Sequence, residues 1–335
     1  MTMPDDEFFD DFDEDELQER EQPDIETTLA VLQTIDDDTL DSRIFYGLSS
    51  LSADDLTQIS PVWQALPVEQ RRRIMQRLVD ISETNVELDY HTFALYAMGD
   101  DDAEVREAAV ETLWEDSSSV FMNTLIDMTQ WDEAIGVRAA AASALGQFAL
   151  MGEIGELPFA EAHRVQDVLV ALLNDEDEDI DVRRRALEAI ANSSHEIVDE
   201  AILDAYQGTE ERMRASAIYA MGRTADPQWE EFVLREMDSG DPAMRYEAAK
   251  AAGELEIEEA IPALGRMAQL DDVEIREVAV WALGEIGGGS AMRLLGRLAD
   301  MAEEDGNLDL LEVIEEAIGN ASLAGAEMDF DFDEE

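Results

Sequence analysis

Residues 272–284 decide the fold: Asp272-Val273-Glu274-Ile275-Arg276-Glu277-Val278-Ala279-Val280-Trp281-Ala282-Leu283-Gly284. An acid leads, an apolar residue and an arginine follow, alanine stands three positions after the arginine, and glycine eight after it. The arginine-centred core of this stretch recurs at Val105-Arg106-Glu107-Ala108-Ala109, Val137-Arg138-Ala139-Ala140-Ala141, Val182-Arg183-Arg184-Arg185-Ala186, Met213-Arg214-Ala215-Ser216-Ala217 and Met244-Arg245-Tyr246-Glu247-Ala248. The six arginines are separated by 32, 45, 31, 31 and 31 residues, so the long gap is one period plus an insertion of about 14, placed at residues 151–159. The glycine is kept at Gly146, Gly222, Gly253 and Gly284. A fixed period of this size is the mark of stacked supersecondary units, none of which buries its apolar face alone.

Each unit reads as two helices. Ile261, Leu264, Met267 and Ala268 recur at helical spacing, Asp271-Asp272 interrupts, and Ile275, Ala279, Ala282, Leu283 and Ile286 mark a second helix closed by Gly287-Gly288-Gly289. Four residues before the arginines stand Asp102, Asp179, Glu210, Asp241 and Asp272, with Ala134 the exception. A carboxylate there accepts orphan N–H groups of the second helix and complements the positive end of its dipole. Period-2 alternation is not sustained anywhere, so the expected fold is all-α, a right-handed α–α superhelix of helical hairpins.

The pattern Asp-x-x-Val-Arg-x-x-Ala-x-x-Ala-Leu-Gly resembles the HEAT repeat. The short period is most similar to the HEAT-like subclass found in phycobilisome bilin lyases and many bacterial proteins. The resemblance spans residues 102–319 and speaks for architecture, since function lives in sites grafted onto folds. It implies that the second helix of each hairpin lines the concave side of the stack.

Outside the repeats the chain changes character. Residues 5–21 hold 11 acids in 17 positions around Phe8, Phe9 and Phe12, and residues 327–335 hold six in nine with Phe330 and Phe332. Such segments cannot bury a core, and the expected organisation is an acidic disordered tail over 1–22, a helical cap over 23–100, a repeat array over 101–324 and a second tail over 325–335. Within the cap, helix starts are expected at Ser52-Ala53-Asp54-Asp55 and Pro67-Val68-Glu69. At the far end Leu311 replaces the arginine while Gly319 keeps the glycine position, as a capping helix would.

Charge removes whole classes of function. Asp and Glu total 82 against 22 Lys and Arg, a formal net charge of -60 over 335 residues, and about -44 once both tails are set aside. Replacing counterions on a phosphate backbone needs cations, so general nucleic-acid binding is excluded, and an anionic membrane surface is disfavoured for the same reason. Lys250 is the only lysine. That composition fits a salt-adapted source, and also high-GC codon usage. The absence of cysteine removes disulfides, thiolate metal sites and cysteine nucleophiles. An acidic N-terminus unlike a secretory signal, and no long uncharged apolar run, give the expectation of a cytoplasmic protein.

Neither the histidines nor the acidic run carries a catalytic or metal-binding pattern. His91, His163 and His195 share no spacing, and the lone His195-Glu196 falls short of the several His-Glu dipeptides that a HEAT-like deoxyhypusine hydroxylase needs around iron. The run 175–181 fails as a calcium loop, because Ile180 and Ala186 stand where an EF-hand from Asp175 requires glycine and glutamate. No catalytic, metal or cofactor residue is assigned. The arginines Arg106, Arg138, Arg183, Arg214, Arg245 and Arg276 lie about 60° from the core-facing alanine and close to the acidic turn. They are expected to form a structural ladder of Arg–carboxylate bonds between adjacent repeats.

Helical geometry leaves one candidate face. Positions five and one after each arginine lie about 200° and 160° around the helix from the buried alanine. The first row reads Glu111, Ser143, Glu188, Tyr219, Lys250, Trp281, and the second Glu107, Ala139, Arg184, Ala215, Tyr246, Glu277. Arg223, Glu254 and Glu285 form a third row. Aromatic residues beside charges on a solvent face have the composition of a binding hot spot, so Tyr219, Arg223, Tyr246, Lys250 and Trp281 are the expected partner-binding set. The function this points to is a non-catalytic scaffold that binds another protein, of basic character, in its concave groove as a monomer. A bilin lyase-like subunit handling a chromophore on an acceptor protein, and an acidic chaperone or nucleic-acid mimic, are the alternatives.

Overall fold

The computed structural model describes residues 22–35 and 40–330, with side chains as far as residue 322. The expected N-terminal tail up to residue 21, and residues 331–335 of the other, lie outside this range. Among the described residues every regular element is helical, and the chain divides between Ala141 and Ala142 into two compact units.

The first unit begins with α1 (Ile25–Gln33), α2 (Arg43–Leu48), α3 (Ala53–Ala65), α4 (Val68–Thr84) and α5 (His91–Ala97). Ser52 opens α3 through a full capping box with Asp55, and Pro67 precedes α4, as the sequence predicts. These helices bury Phe45, Trp63 and Phe93 completely, with the Trp63 and Phe93 rings edge-on at 4.9 Å. The Trp63 ring N–H donates to Asp100 at 2.9 Å, and Arg71 bonds the same carboxylate. That ties the early helices to the turn before α6 (Ala103–Thr112), against which α4 packs. Then come α7 (Ser119–Trp131) and α8 (Ile135–Glu153), which crosses the boundary between the units. α8 is long and apolar enough to cross a membrane by composition, yet its Val137, Ala141, Ala142, Leu145, Phe148 and Ala149 are buried inside the protein.

The second unit is a run of hairpins: α9 (Phe159–Asn174) with α10 (Ile180–Ile190), and α11 (Val198–Gln207) with α12 (Glu211–Arg223). Then follow α13 (Glu230–Glu236) with α14 (Pro242–Glu254), α15 (Ile261–Met267) with α16 (Val273–Ile286), and α17 (Gly288–Asp305) with α18 (Leu308–Phe330). The second helices stack in order, α10 on α12 on α14 on α16 on α18. The insertion is absorbed by lengthening α8 and α9 to 19 and 16 residues around a short loop.

The repeated residues now have physical reasons. The alanines three after the arginine, Ala109, Ala141, Ala186, Ala217, Ala248 and Ala279, are all fully buried. The glycines let successive second helices approach closely: a Cβ on Gly222 would meet the Ala251 Cα at 2.8 Å, and one on Gly253 the Ala282 Cα at 2.9 Å. Asp102, Asp179, Asp241 and Asp272 cap their helices by accepting a backbone N–H. Glu210 makes no such side-chain bond, and Asp132 substitutes for the missing acid at Ala134 by accepting that residue's N–H at 2.9 Å. The turns after α12, α14 and α16 place Ala225, Glu256 and Gly287, at the same repeat position, in positive φ.

The arginines make bonds beyond the expected ladder. Arg106 does bridge hairpins, through a two-bond pair with Asp132 at 2.7 and 2.8 Å. The usual arrangement, though, is a turn back into the arginine's own hairpin. Arg106, Arg138, Arg245 and Arg276 each donate to the carbonyl six residues earlier, those of Asp100, Asp132, Ser239 and Leu270. Arg183 reaches the Leu173 carbonyl, and Arg214 lies over the Tyr206 ring at 5.9 Å. The carbonyls at the end of a first helix lack intrahelical donors, and a guanidinium satisfies them while complementing the negative end of the dipole. In the second unit the cross-links between hairpins come instead from Arg212 to Asp181, Ser216 to Glu188, and Arg223 to Asn192 and Glu254.

Candidate functional site

The stacked second helices of the second unit present the rows read from the sequence. Between α14, α16 and α18 they open into a cavity of about 740 Å³. Tyr246 and Lys250 enter from α14, four residues apart and so on one helical face. Trp281 and Val278 line it from α16, and Val313 and Ala317 from α18. The repeat period itself brings these side chains together, since Lys250 and Trp281 hold equivalent positions one repeat apart. Three of the five expected binding residues therefore share one cavity.

The other two are placed differently. Tyr219 lies beside the cavity on α12, where its ring receives the Lys250 ammonium at 5.0 Å from the centroid. Arg223 is a structural staple: its Nε and Nη2 donate to Asn192 at 3.0 and 2.9 Å, and its Nη1 to Glu254 at 3.3 Å. It joins the hairpins on either side of α12. Nor do the aromatics stand free in solvent. Tyr219, Tyr246 and Trp281 are each half-buried, and the Trp281 ring edge lies where a Cβ on Gly253 would fall. Successive second helices sit close enough, because of those glycines, for large side chains to lean onto the neighbour.

The cavity is acidic. Glu247, Asp272, Glu274, Glu277 and Glu316 line it against the single cation Lys250. Asp272 is engaged in capping α16, accepting the Ile275 N–H at 3.2 Å. Glu247 is the unusual member. Its Oε2 is buried without a hydrogen-bond donor among the described residues. Burial, with Glu188 and Glu254 nearby, pushes its carboxyl up to about 7 from an ordinary 4.5, against the opposing pull of Lys250 and Arg185. Burial and the carboxylates of Glu247, Glu274 and Glu277 also push the Tyr246 phenol up, so it stays neutral at physiological pH. Sequence reasoning passed over Glu247 because charged residues abound in this chain. Its position next to Tyr246 and three residues before Lys250 was the available signal. The wall supplied by α18 lies beyond the last arginine repeat, in the helix where Leu311 stands in place of the arginine.

The remaining candidates are accounted for locally. His91 pairs with Asp116, His163 contacts the Phe159 carbonyl and ring, and His195 accepts the Ile197 N–H. In the acidic run 175–181, Asp175 and Asp179 accept backbone N–H groups and Asp181 pairs with Arg184 and Arg212. Among the described residues no group of three or more His, Asp or Glu side chains is arranged to hold a metal ion.

A family model described as HEAT repeats matches residues 92–180 and 230–319. The complex of CpcE and CpcF of phycocyanin lyase from Nostoc sp. PCC7120 is similar in fold, at 16% identity and a TM-score of 0.51 over 88% of this chain and 96% of that one. YibA of E. coli aligns at 16% identity and a TM-score of 0.40 over 91% of this chain and 99% of that one. Human deoxyhypusine hydroxylase aligns at 16% identity and a TM-score of 0.35 over 80% and 96%. No curated protein matches by sequence.

Proposed function

This chain belongs to the HEAT-repeat family, and on that premise we propose that it is a non-catalytic scaffold whose second unit seats a partner protein of basic character. One observation carries the reading. Tyr246, Lys250 and Trp281, from two successive repeats, line a single open cavity in which carboxylates outnumber cations. Half-buried aromatics supply contact area at small entropic cost, and the surrounding acids steer and select a cationic partner. The apolar walls rimmed by acids suit recognition of a cationic segment.

Site-specific photo-cross-linking in cells of the source organism tests this. With a photoreactive phenylalanine analogue replacing Tyr246, cross-links to one partner are expected, through peptides rich in arginine or lysine. The same analogue at Leu270, exposed in the turn after α15, should give few. Equal yields at the two positions, or partner peptides that are predominantly acidic, would refute the proposal.

A further inference from the structure

The chemistry of the cavity goes further than a general preference for basic partners. Glu247 carries a buried carboxylate oxygen with no donor among the described residues, an arrangement that disfavours its ionised form. Beside it, Tyr246 and Trp281 offer aromatic surface, and Val278, Val313 and Ala317 an apolar floor. The one resident cation does not fill this role. The Lys250 ammonium is drawn over the Tyr219 ring on α12. A flat cation entering this cavity meets the Glu247 carboxyl, two aromatic rings and an apolar floor together.

We infer that this cavity is an arginine-binding site, which takes the side chain of an arginine in a partner's polypeptide segment, with its guanidinium donating to Glu247 and stacked on Trp281. Arginine is favoured over lysine by three properties. Its guanidinium is flat and stacks on aromatic faces, it presents a fork of N–H donors to a carboxylate, and it is more weakly hydrated than an ammonium, so entry into a half-buried site costs less. The outer acids Glu274, Glu277 and Glu316 would hold flanking basic residues at the rim. At about 740 Å³ the cavity has room for more than the one side chain. This inference rests on the reading of the face as partner-binding and specifies what it grips.

The test uses the full chain and three synthetic decapeptides: alternating Arg-Ala, alternating Lys-Ala, and alternating citrulline-Ala, which keeps the shape of arginine without its charge. Calorimetric titrations are run at 0.15 M and 1 M KCl. The arginine peptide is expected to bind at least fivefold more tightly than the lysine peptide, and the citrulline peptide not to bind. Glu247→Gln and Trp281→Ala should each weaken the arginine peptide at least tenfold, while Glu176→Gln in the exposed loop before α10 leaves it unchanged. At 1 M salt diffuse attraction is screened to a Debye length of about 3 Å, so the dependence on Trp281 should persist. Because Trp281 also packs near Gly253, hydrogen exchange on the unaltered protein gives a second readout, with protection by the arginine peptide expected in Pro242–Glu254 and Val273–Ile286. Equal affinity for the arginine and lysine peptides, protection confined to other helices, or equal weakening by Glu176→Gln and Glu247→Gln would overturn the inference. If cross-linking from position 246 captures a basic partner while the arginine peptide fails to bind, the scaffold reading stands and the arginine site falls. If the peptide binds as expected and cross-linking yields nothing, the site stands and the scaffold reading falls.

Discussion

Glu247→Gln should make the protein more stable at pH 8 and alter it far less at pH 5. In the folded chain the Glu247 carboxyl is raised to about 7, chiefly by burial and then by Glu188 and Glu254, with Lys250 and Arg185 opposing, from an ordinary 4.5. Below about pH 4.5 it is protonated in both folded and unfolded chains, and its ionisation contributes no difference. As pH rises from 4.5 toward 7 the unfolded chain releases the proton while the folded chain retains it. Folding is therefore linked to proton uptake, and stability falls over that window. Above 7 the cost is complete. A gap of about 2.5 pH units at about 1.4 kcal/mol each sets a ceiling of about 3.5 kcal/mol, which partial exposure reduces to about 1–2 kcal/mol. Glutamine keeps the shape and cannot ionise, so the variant escapes this cost. Carboxylates such as Asp102 and Asp181, held low by hydrogen bonds from Arg72 and Arg184, gain stability as pH rises. They are common to both proteins and cancel in the difference. Urea unfolding of both proteins at pH 5 and pH 8 measures it. A glutamine variant less stable at pH 8, or shifted equally at the two values, would refute the reasoning.

Three further outcomes follow from the packing and the charge. Gly253→Ala should cost about 1–3 kcal/mol, because its Cβ would fall 2.9 Å from the Ala282 backbone, whereas Gly296→Ala on α17 meets open space and should gain about 0.5–1 kcal/mol; urea midpoints that move together would contradict this. Glu256→Gly should stabilise by up to about 1 kcal/mol, since Glu256 holds φ 52° at the position where the next repeat has Gly287, and a lowered melting temperature would count against it. Raising KCl from 0.1 to 1 M should raise the melting temperature of a chain with net charge -60, as the Debye length falls from about 10 to about 3 Å; a flat or falling trend would dismiss self-repulsion as a term in its stability.

The architecture is legible in the repeats because a repeat states the same constraint many times. Alanine three after each arginine marks the buried side of a helix, the acids before it mark where that helix starts, and glycine marks where two helices touch. Each of these is local or strictly periodic, so position along the chain translates into position in space. The same periodicity placed Lys250 and Trp281 at equivalent points of adjacent repeats, and it was enough to nominate the face.

Tertiary structure alone decided which side chains on that face are committed to partners of their own. The six repeat arginines lie beside both a turn and a neighbouring hairpin, and sequence spacing cannot tell which acceptor is nearer. In four of them the carbonyl six residues back is bonded. Glu188 lies in the same solvent-directed row as Lys250 and Arg223 in the third row, yet both are held by adjacent helices. The cavity depends on α18, which joins the stack after the arginine motif has lapsed, and the burial of the Glu247 oxygen depends on how α14 packs among its neighbours. A helical wheel reports the direction of a side chain from its own axis. Burial, ion pairing and a raised carboxyl depend on what the next helix places opposite, and that distance is set only when the helices pack.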